Sequence, residues 1–256
     1  MAAANENIAV FSGVTKIYRR RGLASTLETV ALNDLSLTLA RGEITGLLGL
    51  NGAGKTTIMK LLTGLLFPTV GSISVFGLPP GDIASKKRIG FLPELPYFYP
   101  YATAASALLY YARLSGLERA VAQKRLEAVI EKVGLQKHAG KKVAEFSKGM
   151  MQRLGVAQAV IHDPELLILD EPVSGLDPLA IHDIRTLISE FNAEGKTVFL
   201  SSHSISELEK ITDRVLIMVQ GRLAKIVSRR DWESARGGLE EIFVQTVKGE
   251  GIGSGV

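Results

Sequence analysis

Nine consecutive residues, Gly49-Leu50-Asn51-Gly52-Ala53-Gly54-Lys55-Thr56-Thr57, have the types and spacing needed to grip a polyphosphate. They fit the pattern of a glycine, four residues, then Gly-Lys-Ser/Thr. Glycines let the backbone curl, so the N–H groups of Asn51, Gly52, Ala53 and Gly54 can point into one concavity suited to a polyanion. Lys55 has the reach for β- and γ-phosphates, the Thr56 hydroxyl suits Mg²⁺, and Thr57 adds a hydroxyl donor. Further along, Leu166-Leu167-Ile168-Leu169-Asp170-Glu171 is an apolar run ending in two acids. Beside a phosphate loop, a carboxylate at a strand's C-terminal end is placed to hold Mg²⁺. Asp170 fits that position, acting through water, and Glu171 is placed to orient or deprotonate an attacking water. Alone, such a run equally describes a strand meeting a solvated loop. Its pairing with the phosphate loop favours chemistry.

The flanks must position these groups. Ile44–Leu48 reads as a short buried strand, and Ile58, Leu61, Leu62 and Leu65 fall on one face of a helix. Strand, glycine loop, helix aims the positive end of a helix dipole at the phosphates. Residues 7–11 and 30–39 read as strands, with Leu35, Leu37 and Leu39 alternating with Ser36 and Thr38. The basic run Arg19-Arg20-Arg21-Gly22 reads as a solvated loop. Strands follow at 72–77 and 88–94. From Ala102 to Val133 the pattern is helical, with Leu126, Val129, Ile130 and Val133 on one face. Residues 97–160 thus read as a helical insertion in an α/β domain. Strands at 166–169, 197–200 and 215–219 then alternate with helices at 181–191 and 204–212, and Gln220-Gly221 reads as a hairpin turn. The alternation implies a parallel sheet with helices on both faces. A tail from 228 is expected to hold a short amphipathic helix at 239–244, then a glycine-rich disordered end from Lys248.

The 256 residues suffice for one large domain or two small ones. The composition is 46% hydrophobic and 22% charged with a net charge of +4, which argues for neither nucleic acid nor membrane surface. Without cysteine there is no disulfide and no thiolate metal site. The first residues lack a signal peptide's basic start and apolar run. No run of 18 apolar residues exists, so a transport role requires a separate membrane protein.

Phe146-Ser147-Lys148-Gly149-Met150-Met151-Gln152-Arg153 resembles the signature motif of ATP-binding cassette (ABC) proteins, usually Leu-Ser-Gly-Gly-Gln. Pro172-Val173-Ser174-Gly175-Leu176-Asp177 is similar to that family's D-loop, and Ser201-Ser202-His203 matches its switch histidine. The resemblance covers roughly residues 7–227. It implies a P-loop NTPase (RecA-like) core with an antiparallel β subdomain and an inserted helical subdomain. It also implies Mg²⁺-ATP sandwiched between two such domains, as a homodimer or heterodimer, with the phosphate loop of one facing the signature of the other. Ser147 and Gly149 would then donate to a γ-phosphate, Asp177 would organise the opposite site, His203 would contact the γ-phosphate, and Tyr18 would stack on adenine. By its residues alone, Ser147 reads as a helix N-cap and Asp177 as a turn residue before Pro178; the constellation of motifs favours function. His138, His162 and His182 read as structural.

Three positions depart from the pattern. Glu94 stands where Gln is common; it keeps an oxygen ligand for Mg²⁺ but, ionised, donates no hydrogen bond. Lys148 replaces a glycine and Met150 a glutamine. A branch of exporter-type ABC ATPases looks similar here. The implied function is the ATPase subunit of an exporter, peripheral on the cytoplasmic face of the inner membrane and bound to an integral-membrane permease, with no nucleic acid partner. The alternatives are a non-transport ABC ATPase acting on ribosomes or DNA, which usually carries two cassettes or a coiled-coil insertion, and a regulatory module with degenerate catalysis. Tyr97, Phe98, Tyr99 and Tyr101 read equally as core of the helical insertion and as a groove for the permease.

Overall fold

The computed structural model describes residues 7–21 and 26–250. The chain runs β1 (Asn7–Arg21), β2 (Thr26–Ala40), β3 (Ile44–Gly49), α1 (Lys55–Leu62), β4 (Val70–Val75) and the single turn α2 (Ile83–Lys86). Next come β5 (Ile89–Leu92), α3 (Ala104–Leu114), α4 (Arg119–Lys132), α5 (Lys148–Val160), β6 (Leu166–Leu169) and α6 (Pro178–Ala193). They are followed by β7 (Thr197–Ser202), α7 (Ile205–Ile211), β8 (Arg214–Val219), β9 (Arg222–Ser228), α8 (Arg229–Ser234) and α9 (Gly238–Gly249). Two compact units result: residues up to Lys86 with those from Phe199 onward, and Lys87–Val198.

In the first unit β1 is the middle strand of an antiparallel sheet ordered β2-β1-β4. Leu35, Leu37 and Leu39 of β2 are buried and Ser36 is exposed, the alternation the sequence predicts. The basic run is not a loop. Arg19–Arg21 continue β1 and pair with β2 out to Arg21↔Thr26. The β-branched and aromatic residues beside it, Ile17, Tyr18, Thr29 and Val30, favour an extended chain, and they carry the arginines with them. Gly22 lies outside the described residues.

All six residues of β3 are buried. It runs parallel to β8, from Thr45↔Arg214 to Gly49↔Met218, and β7 lies on its other side. A strand buried on both faces explains its near-continuous apolar sequence. β8 turns at Gln220-Gly221 into the antiparallel β9, as expected. The helix after the phosphate loop is shorter than its periodicity predicts. It ends at Leu62, and Leu65 is 60% exposed. Gly64, at φ 66°, closes it: its N–H bonds the Leu61 carbonyl and the Leu65 N–H the Lys60 carbonyl. This left-handed glycine stop overrides the apolar repeat. At the other end, α9 extends past the predicted 239–244. It buries Leu239 and Val247 and keeps Lys248 and Gly249 helical; residues 251–256 lie outside the described residues. Ahead of it, α8 buries Trp232 and starts in a capping box between Ser228 and Asp231.

In the second unit β5 and β6 pair in parallel, Ile89↔Leu166 to Leu92↔Leu169. The helical stretch is two helices, α3 and α4, broken at Ser115–Glu118. Leu126, Val129, Ile130 and Val133 are buried, as their spacing predicts. In α6, Ile184, Ile188 and Phe191 are buried while Ile181 is only partly so.

Candidate functional site

β3 delivers the chain at Gly49 and α1 carries it away from Lys55. The loop between is pinned from outside. The Ala53 N–H bonds the Leu50 carbonyl at 3.1 Å, and the Ala53 carbonyl accepts the Gly221 N–H at 3.2 Å. The Gly221 carbonyl in turn accepts the Asn33 N–H of β2 at 2.9 Å. The β8–β9 turn therefore braces the phosphate loop, a role its sequence does not announce. Gly54 caps α1 at φ 103°. A Cβ there would lie 2.8 Å from the Ala31 carbonyl oxygen, so only hydrogen fits.

Lys55 is buried, and its ammonium donates to the Gly49 carbonyl at 2.6 Å and lies 3.4 Å from that of Leu50. The charge is thus held inside the loop. Thr56 is exposed beside it, while Thr57 is buried with its Oγ1 3.4 Å from the Tyr18 hydroxyl. The structure so brings Tyr18 against the helix that the loop feeds, leaving it 39% exposed. A cleft of about 230 Å³ flanks the loop, lined by Leu50, Asn51, Gly52, Ala53, Met218 and Gln220 among others.

In the second unit, β6 is wholly buried and presents Asp170 and Glu171, both nearly buried, at its end. The Asp170 N–H bonds the Leu92 carbonyl at 2.8 Å. Glu171 sits at φ 49°, left-handed backbone that costs a non-glycine residue about 1–2 kcal/mol. Strain of this kind gathers at functional sites. The buried Gln152 amide donates to the Pro172 carbonyl at 2.7 Å and fixes the turn that follows.

Ser147 caps α5, its Oγ accepting the Met150 N–H at 3.2 Å. That bond uses an oxygen lone pair, and the hydroxyl proton is not engaged in it. Asp177 caps α6, accepting from the Leu179 and Ala180 N–H groups at 3.1 and 3.0 Å. Ser147 is thus the N-cap its sequence suggests, Asp177 is an N-cap and not a turn residue, and the two share one cleft. It measures about 290 Å³ and is lined by Ser147, Gly149, Met150, Asp177 and the ion-paired Arg153 and Asp183, among others. Lys148 reaches the segment after Glu171: its ammonium lies where a Cβ on Gly175 would fall.

Glu94 and His203 stand exposed just beyond β5 and β7. His162 hydrogen-bonds the Ile89 carbonyl through Nε2 at 3.0 Å. The aromatic run splits. Phe98 is buried edge-on to Tyr111 at 5.8 Å, whereas Tyr97, Tyr99 and Tyr101 are 79%, 70% and 83% exposed. Among the described residues no three His, Cys, Asp or Glu side chains cluster as metal ligands, and no helix is long and apolar enough to cross a membrane.

Residues 32–174 match a family model described as ABC transporter. An uncharacterised ABC transporter ATP-binding protein of Nostoc sp. is 44% identical over 219 residues, covering 85% of this chain and 65% of the relative. The bacitracin transport ATP-binding protein BcrA of Enterococcus faecalis is 43% identical over 204 residues, covering 78% of this chain and 65% of the relative. The chain thus spans less than two thirds of the length of these relatives. A solved structure of an ATP-binding subunit of an ABC transporter superposes with a TM-score of 0.80 at 30% identity, covering 94% of this chain and 99% of that one. The family match runs from β2 through the phosphate loop and the signature helix into the segment after Glu171, more than half of the sequence, and the chain belongs to the ABC transporter family.

Proposed function

We propose that the chain is the ATP-binding and ATP-hydrolysing subunit of an ABC transporter, working in export. The observation that carries this is the braced loop with Lys55 buried inside it and Tyr18 beside Thr57. Backbone N–H groups of Asn51, Gly52 and Gly54 and the Lys55 ammonium bind the triphosphate, the Ala53 N–H shapes the loop through the Leu50 carbonyl, and Thr57 adds a donor. Glu171 orients and deprotonates the attacking water, and His203 holds the γ-phosphate. Ser147 and Gly149 of a second nucleotide-binding domain close over that phosphate, and Asp177 joins the two sites. Catalysis is mostly positioning and charge stabilisation. Loss of the γ-phosphate removes the bridge and opens the dimer.

Thr56, Asp170 and Glu94 offer hydroxyl and carboxylate oxygens, the hard donors that suit Mg²⁺. The bound ion would neutralise charge on the β- and γ-phosphates. The bacitracin transport protein among the relatives supports a transport role. In this reading the exposed Leu95, Tyr97, Tyr99 and Tyr101 meet an integral-membrane permease, with the chain peripheral on the cytoplasmic face of the membrane; their exposure supports a docking surface.

Phosphate release from Mg²⁺-ATP by the purified chain tests the reading. Lys55→Ala should lose most turnover while still unfolding in one cooperative transition. Glu171→Gln should bind ATP and elute as a stable dimer. Wild-type turnover in both variants would refute it.

A further inference from the structure

The paired end of the β1–β2 hairpin holds a group that the proposed nucleotide chemistry does not yet use. Lys16, Tyr18 and Arg20 alternate along β1, and pairing is regular from Ile17↔Val30 to Arg21↔Thr26. Alternate residues of a strand share a face. Tyr18 faces α1, as its hydroxyl contact with Thr57 shows, so Arg20 lies on the nucleotide side. Arg19 takes the opposite face, where it pairs with Glu28 at 2.8 Å. Arg20 is exposed, and its guanidinium makes no hydrogen bond or ion pair with any described residue. Its cross-strand partner is Leu27, 66% exposed, an apolar neighbour rather than a carboxylate.

The spacing is specific. Residues i and i+2 of an antiparallel strand stand about 6.8 Å apart. Two van der Waals layers of about 3.5 Å fill that distance with one flat ring between. On the Lys16 side the Tyr18 ring is already covered: the Lys16 ammonium lies 5.6 Å from its centroid and is tethered to the Phe67 carbonyl at 2.8 Å. Among the described residues, that leaves the Arg20 side for a planar ligand. A guanidinium is flat and cationic, so it stacks on an aromatic face as an ammonium does not.

We infer that Arg20 is a specificity-determining residue that closes the outer face of the base, holding a purine ring between its guanidinium and the Tyr18 ring with Leu27 at the edge. This rests on the ATP reading above and adds a residue to it. It predicts a contribution tied to the base and independent of the phosphates.

Calorimetric titration in EDTA, where hydrolysis does not compete, separates the two. The ligands are ATP and inorganic triphosphate. Arg20→Ala should weaken ATP about two- to fivefold, the range for an exposed cation–π contact, and leave triphosphate unchanged. Arg20→Lys should not restore wild-type affinity. Arg19→Ala, on the other face, should leave ATP binding as it is, and Lys55→Ala should weaken both ligands. Equal weakening of ATP and triphosphate by Arg20→Ala would mean that only its charge acts, and would overturn the inference. So would no effect, an equal effect of Arg19→Ala, or full rescue by lysine. A wild-type chain that binds neither ligand would overturn the ATP reading itself, and this inference with it.

Discussion

Two glycines of the phosphate loop should respond very differently to the same substitution. Gly52 and Gly54 sit at φ 80° and 103°, so an alanine at either meets left-handed strain of about 1–2 kcal/mol. Space separates them. Nothing lies within 4 Å of a Cβ at Gly52, whereas one at Gly54 meets the Ala31 carbonyl oxygen at 2.8 Å and the Leu32 side chain at 2.7 Å. Ordinary contact needs about 3.5 Å, and Ala31, which stands at the register shift between Lys16↔Leu32 and Ile17↔Val30, can yield only by moving its backbone. Relief requires β2 to move away from the loop, and Asn33 of that strand holds Gly221, which holds Ala53. Overpacking of this kind costs a further ~1–3 kcal/mol. The totals are about 1–2 kcal/mol for Gly52→Ala and about 2–5 kcal/mol for Gly54→Ala. At about 2–4 °C per kcal/mol for a chain of this size, Gly54→Ala should melt roughly 2–12 °C below Gly52→Ala. Circular dichroism melts of the two nucleotide-free variants measure the gap. If Gly52→Ala melts at or below Gly54→Ala, the steric account of the loop is wrong.

Burial, aided by the charge of Arg125, holds the His162 imidazole below its usual pKa against the opposing Ile89 hydrogen bond. The unfolded chain, titrating near 6.5, then takes up a proton before the folded one, so stability is complete above that pH and falls as pH drops below about 6.5. His162→Gln, which keeps a donor for the Ile89 carbonyl, should flatten the melting temperature between about pH 6.5 and 5; an unchanged slope would assign the effect elsewhere. Within the aromatic run, Phe98→Ala should cost about 3–5 kcal/mol, and Tyr99→Ala should stay within about 0.5 kcal/mol. Equal urea midpoints for the two would contradict the observed split.

What the sequence displays, and what it hides, follows from how narrowly each job restricts residue type. Gripping a triphosphate needs glycines, a lysine and a hydroxyl in fixed order, so Gly49–Thr57 is legible at once. Burial on a sheet needs apolar residues at a fixed period, so β3, β6 and the leucines of β2 are legible too. The Arg19–Arg21 run misleads because charge is a weak vote against extended structure, and the neighbouring Ile17, Tyr18 and Val30 outweigh it. The aromatic run 97–101 has no period to read, so only coordinates separate Phe98 from its neighbours.

Other features leave no trace for a different reason. The Gly221 brace uses a backbone N–H and C=O, which almost every residue carries. Gln152 reaches Pro172 with an amide that, in a helix, reads as an ordinary solvated side chain. The left-handed turn at Glu171 is a torsion, set by what surrounds the end of β6 and not by the type of residue there. The groups proposed to touch the nucleotide are therefore the legible part of the site. Much of the frame that fixes their positions consists of generic backbone bonds and torsions, and a substitution at Ala31 or Gly221 could disable the loop without altering a residue of the motif.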